Sequence, residues 1–348
     1  MTEPKARILI VGTGGVGTMA AYALERGGKA RATAVLRSSY ETVLKHGLRI
    51  YSVQYGRDIE GWRPSEIRNT VPDVTAEELQ PFDFILVTTK CTPDVSPTVA
   101  EIIKPAVTPG KTAIVLSQNG LNVEKAVMAQ YPTNPIISSV SRIGVREIQP
   151  GVIIQDDADN QSIGPFINPN IPAKLSETAA RRYISIYDPN DTLDIHYDPN
   201  VQRTRWRKLL YNTSFNSVSA ILRMDTTRMR MTQHVVDDLV KPIIRELIAA
   251  ANAAGMEFST GPELIREVIR TDPVDMFYQP SMLQDVLRGS LIECEVIVGE
   301  PLREGRRLGV PMPTLEFVYT VLRGLQVGAM ERRGLWEPVF REGNRYRQ

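Results

Sequence analysis

The 348-residue sequence contains little cysteine and little histidine. Its two cysteines, Cys91 and Cys294, are too few for a disulfide framework and lack the spacing of metal ligands, so we expect reduced thiols. The three histidines, His46, His196 and His234, lie in no recognisable motif, which argues against a histidine-built zinc site. The sequence therefore predicts no metal site.

The sequence also lacks an excess of one charge and lacks long apolar runs. Its 41 basic residues nearly balance its 40 acidic residues, and no block of one sign marks a protein that binds nucleic acid or a membrane surface. No run approaches the ~18 apolar residues of a spanning helix. The first strand is predicted to begin within a few residues of the start, which leaves no room for a cleavable signal. We expect a cytoplasmic protein without nucleic-acid or membrane partners.

A glycine-rich turn lies between a strand pattern at 7–11 and a helix pattern at 18–26. It consists of Gly12, Thr13, Gly14, Gly15, Val16 and Gly17. This is the GxGxxG fingerprint in the strand–turn–helix context that it requires. Gly12 permits the tight turn, Gly14 lets the backbone approach a pyrophosphate, and Gly17 lets helix and strand pack closely. The helix start offers N–H groups to the phosphates, so the motif predicts a dinucleotide site.

Arg37 follows the second predicted strand, 32–36, where an NAD-preferring site usually carries an acidic residue. An arginine at this point can bind the 2′-phosphate of NADP, whereas Asp or Glu would accept a hydrogen bond from the ribose hydroxyl. The sequence therefore favours NADPH over NADH. The alternative is a solvated arginine at a strand end.

Further strand-like runs at 84–88, 112–116 and 135–140 alternate with helical stretches. Short β-like segments at 48–53 and 151–155 are expected to extend the same sheet. After residue 200 the pattern becomes helical, at 201–223, 233–255, 261–271, 281–309 and 313–330. We predict an α/β fold, with an N-terminal Rossmann-like parallel-sheet domain at 1–199 and an all-helical C-terminal domain at 200–348.

Two polar residues follow strands of the predicted parallel sheet, at the edge where open α/β sheets bind ligands. Lys90, after the strand at 84–88, can reach a phosphate or a substrate carboxylate. Asn119, after the strand at 112–116, can bond to a nicotinamide carboxamide or to the substrate. The alternatives are a loop cap for Lys90 and an Asx-turn before Gly120 for Asn119.

Lys208, Asn212 and Asn216 recur every four residues in a helical pattern, so they lie along one face that drifts by ~40° per step. Apolar neighbours cover much of the helix, so a polar stripe here needs partners, which a cleft would provide. The alternative is a surface stripe. Three arginines near the helix start, Arg203, Arg205 and Arg207, support a solvated beginning.

Taken together, these motifs resemble the ketopantoate reductase (2-dehydropantoate 2-reductase) family over nearly the whole chain. The shared features are the GxGxxG turn, Arg37, Lys90, Asn119-Gly120, the Arg-Trp-Arg-Lys-Leu run at 205–209 with Asn212 and Asn216, the Ser-Met-Leu-Gln-Asp block at 281–285, and Glu293. The resemblance implies a Rossmann-like domain and a helical domain with the active site in the cleft between them. It further implies that NADPH delivers a hydride to the keto carbon of a 2-oxo acid.

The same resemblance implies roles for individual residues. Lys208 would be the general acid that protonates the carbonyl oxygen, and Glu293, beside cofactor and substrate, would help to keep that lysine charged. Asn119 would bridge cofactor and substrate. The residues that would orient the substrate are Asn212, Asn216 and Ser281. Without the resemblance, Ser281 would be interpreted as a helix N-cap and Glu293 as a solvated helical carboxylate.

Three positions depart from the family pattern. Thr226 stands where many members carry an asparagine, Tyr278 stands where some members place another, and Val298-Gly299 replaces the usual Asn-Gly. Loss of a hydrogen-bonding group from a site built for a substrate hydroxyl can change discrimination by orders of magnitude. The resemblance therefore implies the reaction type more firmly than the substrate.

Three functions stay open at this point. The first is reduction of ketopantoate to D-pantoate with NADPH, for pantothenate and coenzyme A. The second is NADPH-dependent reduction of another branched or aromatic 2-oxo acid to a D-2-hydroxy acid. The third is a catalytically idle NADPH-binding partner or sensor protein, against which the presence of Lys208 and Glu293 argues. The sequence does not decide the assembly; a homodimer is one state open to enzymes of this build.

Overall fold

A computed structural model describes residues 4–347, which form two compact units. The first unit ends at Arg205 and contains the residues before it except Thr92–Ser96. The second unit contains Thr92–Ser96 and continues from Trp206. None of the described helices is long and apolar enough to cross a membrane. The predicted boundary between residues 199 and 200 stays a prediction.

The first unit contains twelve strands in two sheets. They are β1 (Ala6–Val11), β2 (Ala30–Val35), β3 (Leu48–Ser52), β4 (Gly56–Trp62), β5 (Glu66–Arg68), β6 (Phe84–Val87), β7 (Ala113–Leu116), β8 (Ile136–Ser141), β9 (Val145–Gln149), β10 (Val152–Gln155), β11 (Asn160–Phe166) and β12 (Asp194–Tyr197). The main sheet has eight strands in the order β12-β11-β8-β7-β6-β1-β2-β5. Its pairs are parallel except β8 with β11.

The strand order reverses at β1, which pairs with β2 on one side and β6 on the other. Ile8, Leu9 and Ile10 are completely buried, as expected for a parallel sheet covered on both faces. The covering helices of this unit are α1 (Gly15–Arg26), α2 (Tyr40–His46), α3 (Val99–Ile103), α4 (Val123–Gln130) and α5 (Ala173–Tyr187). This confirms the predicted Rossmann-like alternation, and the reversal places a ligand crevice at the carboxyl end of β1.

The segments at 48–53 and 151–155 do not extend the main sheet, so that prediction is wrong. Their strands, β3 and β10, belong to a separate four-stranded sheet with the order β4-β3-β10-β9. The reason is that each of these two strands buries its apolar side chains on one face only. Leu48, Ile50 and Ile153 lie on that face and pack in one cluster with Met19 of α1. Such one-sided strands form a half-buried layer rather than the centre of a parallel sheet.

A buried polar network joins the second sheet to the main sheet. Asp159, immediately before β11, accepts hydrogen bonds from the Tyr187 hydroxyl at 2.6 Å and from Gln161 Nε2 at 3.0 Å. Its backbone N–H donates to Gln54 Oε1 at 3.1 Å, and the same oxygen accepts from Gln155 Nε2 at 2.9 Å. Asp159 is therefore held by its carboxylate to α5 and β11 and by its backbone N–H to Gln54, next to the second sheet.

All regular secondary structure in the described part of the second unit, 92–96 and 206–347, is helical. After α6 (Val201–Tyr211), within which the division falls, come α7 (Ser217–Leu222), α8 (Thr226–Met231), α9 (Gln233–Val235), α10 (Lys241–Ala253), α11 (Pro262–Ile269), α12 (Ser281–Leu287), α13 (Glu300–Arg307) and α14 (Pro313–Arg332). Three π-helical turns, Asn212–Asn216, Val236–Val240 and Glu295–Gly299, interrupt the regular helices. The predicted all-helical fold of this part is confirmed, and its core is formed by α10 packing against α13 and α14.

The helix predicted over 281–309 is in fact two helices. Gly289 adopts a left-handed φ of 64°, and the Ser290 N–H donates to the Asp285 carbonyl at 2.8 Å. This is the glycine-terminated arrangement that ends a helix. Helical structure resumes only at Cys294, so Glu293 lies outside a regular helix. The sequence also gave no indication of α8, which begins after the N-cap Asp225.

Asp159→Asn tests the cost of the buried carboxylate. Burial raises the pKa of Asp159, against hydrogen bonds from Tyr187 and Gln161 that lower it. The Asp159 carboxyl therefore binds its proton more tightly in the folded protein than in the unfolded chain. The contribution of this proton to the free energy of unfolding is complete at low pH and is lost as the pH rises through the raised pKa of Asp159. The variant should therefore gain most over the wild type near neutral pH, and the gain should shrink towards the ordinary carboxyl range of ~3.9.

Urea unfolding at a series of pH values measures this difference. Asp238→Asn, at an exposed position, is the control. A stability difference between wild type and Asp159→Asn that stays constant with pH would contradict the assignment.

Candidate functional site

The glycine-rich turn is fixed by contacts to both neighbouring strands. Gly12 has a φ of 98°, and a Cβ there would lie 2.5 Å from the Thr89 backbone nitrogen, so no other residue fits. The Thr13 hydroxyl donates to the Val35 carbonyl at 3.0 Å, which ties the turn to the end of β2. The Thr88 hydroxyl donates to the Gly12 carbonyl at 2.7 Å, which ties it to β6.

Beyond Gly12 the turn leads directly into α1. Gly14 is the N-cap and carries no side-chain cap, and a Cβ added to it would meet no described atom within 4 Å. At Gly17 a Cβ would lie 2.7 Å from the Gly12 carbonyl oxygen, so helix and turn are in close contact. Open space beside the backbone at a helix N-terminus suits a pyrophosphate. The residues of the turn therefore fit a dinucleotide.

The end of β2 carries an exposed arginine and a carboxylate from another part of the chain. Arg37 and Ser38 are exposed, whereas Ser39 is buried and its hydroxyl donates to Glu147 Oε1 at 2.5 Å. Glu147 lies on β9, outside the strand–turn–helix motif, so sequence reasoning missed it. At Gly15 a Cβ would lie 3.1 Å from Val145 Cγ2, which shows that β9 also flanks the turn.

The loops that carry Lys90 and Asn119 lie together in the first unit. Gln118 Nε2 donates to the Thr89 carbonyl oxygen at 2.6 Å and so links the segment after β7 to the segment after β6. Lys90 is exposed and Asn119 is half-buried. Lys90 follows β6, which pairs with β1, and Asn119 follows β7, the next strand in the sheet. Both residues therefore lie at the same edge of the sheet as the glycine turn.

Arg205 holds the backbone on both sides of Asn119. Its Nη1 donates to the carbonyl oxygens of Gln118 at 2.8 Å and Gly120 at 3.0 Å. Its Nε donates to the Ser138 hydroxyl at 2.6 Å, and its Nη2 to the Leu116 carbonyl at 3.3 Å. The guanidinium therefore links the loop after β7 to the last residue of β7 and to the interior of β8.

The interpretation of Arg205 as part of a solvated helix start is wrong. Its side chain is only 2% exposed and forms an ion pair with Glu124, which is completely buried, at 2.7 Å between Nε and Oε1. A signal was present in the sequence, since Arg205 lies on one helix face with Val201 and Leu209, both buried and apolar. Glu124 lies in α4 and was missed entirely.

Lys208, Asn212 and Asn216 lie on one continuous helix, but their spacing is not regular. The π-helical turn at Asn212–Asn216 uses i→i+5 hydrogen bonds, so the predicted angular drift applies only from Lys208 to Asn212. Lys208 is half-buried, and Asn212 and Asn216 are 8% and 3% exposed. The two asparagines are therefore buried rather than part of a surface stripe.

Ser281 and Glu293 belong to segments that pack against this helix within the second unit. Ser281 is the exposed first residue of α12, whose N-cap is Pro280, so Ser281 is not the cap. The helix α12 contacts α7 and the π-helical turn at Asn212–Asn216. Glu293 is 8% exposed and precedes the turn at Glu295–Gly299, which contacts Asn212–Asn216 as well.

Two buried polar atoms of the second unit have no hydrogen-bond partner among the described residues. They are Asn216 Oδ1 and Thr226 Oγ1. Thr226 is also close to Tyr278, because its N–H donates to the Tyr278 carbonyl oxygen at 3.0 Å. Two of the three departures from the family pattern are thus neighbours. Since an unsatisfied buried polar group costs free energy, both atoms are suited to bind a polar molecule.

The two cysteines are both buried and form no disulfide, as the sequence predicts. Burial, together with the nearby carboxylates of Asp94 and Glu295, raises the pKa of the Cys294 thiol to about 12. This thiol is therefore protonated near neutral pH and a poor nucleophile.

A parallel sheet with a glycine turn at the start of α1 is typical of proteins that bind a dinucleotide. Residues 8–168 match the family described as ketopantoate reductase PanE/ApbA, and residues 200–326 match the C-terminal domain of the same family. The chain therefore belongs to the ketopantoate reductase PanE/ApbA family.

Individual relatives support the same family. An uncharacterised protein of Saccharomyces cerevisiae is 35% identical, with 95% of this chain and 96% of the relative covered. The crystal structure of 2-dehydropantoate 2-reductase from Methylococcus capsulatus is 29% identical, covers 93% of this chain and 97% of its own, and has a TM-score of 0.77. A structure of D-mandelate dehydrogenase with NADH and anilino(oxo)acetate also has a TM-score of 0.77, but its 20% identity shows the fold alone, over 93% and 99% of the two chains.

Glu124→Ala tests the buried ion pair. Removing one partner leaves the Arg205 charge buried without a counter-ion, so we expect the free energy of unfolding to fall by about 3–5 kcal/mol. The control is Glu263→Ala, which removes an exposed partner of Arg266 and should cost no more than about 1 kcal/mol. Urea unfolding measures both, and equal losses in the two variants would contradict the assignment.

Proposed function

We propose that the protein reduces a 2-oxo acid to a 2-hydroxy acid with NADPH, and that the substrate is ketopantoate and the product D-pantoate, for pantothenate and coenzyme A biosynthesis. The proposal rests mainly on one observation: Asn216 Oδ1 is buried without a partner on the helix that also carries Lys208. A substrate hydroxyl can donate to this oxygen. Family membership supports the reaction type.

The cofactor is assigned to the glycine turn and the end of β2. The pyrophosphate would lie at Gly14 and the start of α1, and the exposed guanidinium of Arg37 would bind the 2′-phosphate. Lys90 would contribute a second positive charge at the same sheet edge. Asn119, held by its neighbours' bonds to Arg205, would bond to the nicotinamide carboxamide and the substrate. When bound, NADPH supplies the hydride.

Lys208 is the proposed general acid. A lysine side chain is ordinarily an ammonium at neutral pH. It can therefore polarise the substrate carbonyl and then donate a proton from Nζ to the carbonyl oxygen. Lys208 would regain its proton from solvent after the carbonyl carbon has received the hydride. The proposed role of Glu293 is to place a carboxylate beside Lys208, where an opposite charge would stabilise the ammonium.

The remaining polar residues orient the substrate. The amides of Asn212 and Asn216 and the hydroxyl of Ser281 would form hydrogen bonds with substrate oxygens. Fixing a substrate in this way lowers the barrier because the reacting groups are already aligned. We propose that the reaction takes place in the cytoplasm and that its substrate is a small molecule.

A second candidate substrate is another branched or aromatic 2-oxo acid. The observation in its favour is that Thr226 and Tyr278 are joined by a backbone hydrogen bond. Thr226 stands where many family members carry an asparagine, and Tyr278 stands where some do. A site that loses an amide at such a position can discriminate differently among substrates. The catalytically idle alternative has no such observation in its favour.

The proposal is tested by mixing the protein with NADPH and a panel of 2-oxo acids that includes ketopantoate, and following the absorbance of the reduced nicotinamide. Ketopantoate should give the highest kcat/KM. Turnover restricted to an aromatic or a different branched acid would support the second candidate. NADPH binding without turnover on any member of the panel would contradict both.

Lys208→Ala should lower kcat by ~10²-fold or more, because the general acid is lost, while NADPH binding is kept. Lys174→Ala, at an exposed lysine of α5, is the control and should keep wild-type kcat. The measurements are steady-state kinetics and a fluorescence titration with NADPH. A near-normal kcat in Lys208→Ala would exclude this lysine as the general acid.

Arg37→Asp should weaken NADPH binding by roughly 10- to 100-fold, since a charged hydrogen bond contributes about 1.5–3 kcal/mol, and should affect NADH much less. The control is Arg31→Asp, an exposed arginine near the other end of β2. Titrations of both cofactors measure the change. Equal weakening of NADH and NADPH by Arg37→Asp would show that Arg37 does not bind the 2′-phosphate.

A further inference from the structure

Two of the π-helical turns in the second unit are joined by one buried hydrogen bond. The Thr213 hydroxyl, in the turn at Asn212–Asn216, donates to the carbonyl oxygen of Ile297, in the turn at Glu295–Gly299, at 2.6 Å. Thr213 is completely buried and Ile297 is 1% exposed. No role was predicted for either residue from the sequence.

The direction of this bond distinguishes Thr213 from the hydroxyl residues beside it. Ser214 donates to the Leu210 carbonyl and Ser217 to the Thr213 carbonyl, so both hydroxyls bond back within their own helix. The Thr213 hydroxyl instead crosses to a different helix. The bond therefore fixes the position of one helix relative to another rather than the local conformation of either.

The two helices joined in this way carry the proposed catalytic groups. Thr213 directly follows Asn212, and Lys208 lies earlier on the same helix. Ile297 is tied to the other group, because its N–H donates to the Glu293 carbonyl at 3.1 Å. A short path of covalent and hydrogen bonds thus runs from Asn212 through Thr213 and Ile297 to the backbone of Glu293.

We propose that Thr213 is a positioning residue that sets the spacing between the helix of Lys208 and Asn212 and the segment of Glu293. This inference rests on the proposed function. A π-helical turn widens the helix locally and is frequently found at functional sites. Where two such turns pack together, a hydroxyl from one to a carbonyl of the other fixes their register. Thr213 acts on the reaction through the residues it holds.

The test compares Thr213→Val, Thr213→Ser and Ser217→Ala. Valine keeps the shape of threonine but removes the hydroxyl, serine keeps the hydroxyl, and Ser217→Ala removes a buried hydroxyl that bonds only within its own helix. Thermal unfolding and circular dichroism establish which variants are folded. Thr213→Ala replaces the valine variant if that one does not fold.

Thr213→Val should lower kcat on the order of 10- to 100-fold, because small displacements of catalytic groups cost that much. KM and NADPH affinity should change little. Thr213→Ser should restore most of kcat, and Ser217→Ala should keep it. With NADPH deuterated at the transferred hydrogen, the isotope effect on kcat should increase in Thr213→Val, which loss of folded protein alone would not cause.

Two results overturn the inference while leaving the proposed function intact. One is a wild-type kcat in folded Thr213→Val; the other is an equal loss of kcat in Ser217→Ala, which would indicate a general packing effect. A wild-type protein that turns over no 2-oxo acid overturns the proposed function and this inference together. The activity of the wild type therefore distinguishes the two failures.

Discussion

The first unit depends on the burial of a single positive charge. A guanidinium removed from water is stable only when its donors have acceptors and its charge has a counter-ion. The donors of Arg205 bond to three carbonyl oxygens and one hydroxyl, and the Glu124 carboxylate is the counter-ion. These partners come from the end of β7, the loop after it, the interior of β8 and the helix α4. Because the guanidinium is planar and rigid, its donors fit only one arrangement of those acceptors. The charge thus fixes the backbone that presents Asn119.

In the second unit, hydrogen bonds between uncharged buried groups hold the helices in position. Buried polar atoms that have protein partners hold helices in place, as the Thr213 hydroxyl does for the Ile297 carbonyl. Buried polar atoms without such partners, Asn216 Oδ1 and Thr226 Oγ1, are instead suited to a bound molecule. Within the described part of this unit, satisfied buried groups fix the helices, whereas the two unsatisfied atoms are available to a polar ligand.

Much of the first unit could be predicted from the sequence because its signals are local. The βα alternation and the glycine turn each lie within a few consecutive residues. The separate sheet of β3 and β10 could not be predicted, since which sheet a strand joins depends on partners far along the chain. The break before Glu293 depended on the conformation of Gly289, and a helical period alone does not show it. Glu147 and Glu124 were missed because their partners, Ser39 and Arg205, are distant in sequence.

The contact between Ser39 and Glu147 also has a consequence for how the protein folds. The strand, turn and helix of the dinucleotide motif are contiguous, so they can form early from local contacts. One side of the motif is formed by β9, whose Glu147 is 108 positions from its partner Ser39. Such a distant contact requires the closure of a long loop, which costs chain entropy that a local contact does not cost. The surroundings of the glycine turn therefore depend on a strand outside the motif, so a fragment containing only the strand, turn and helix lacks one side of this surface.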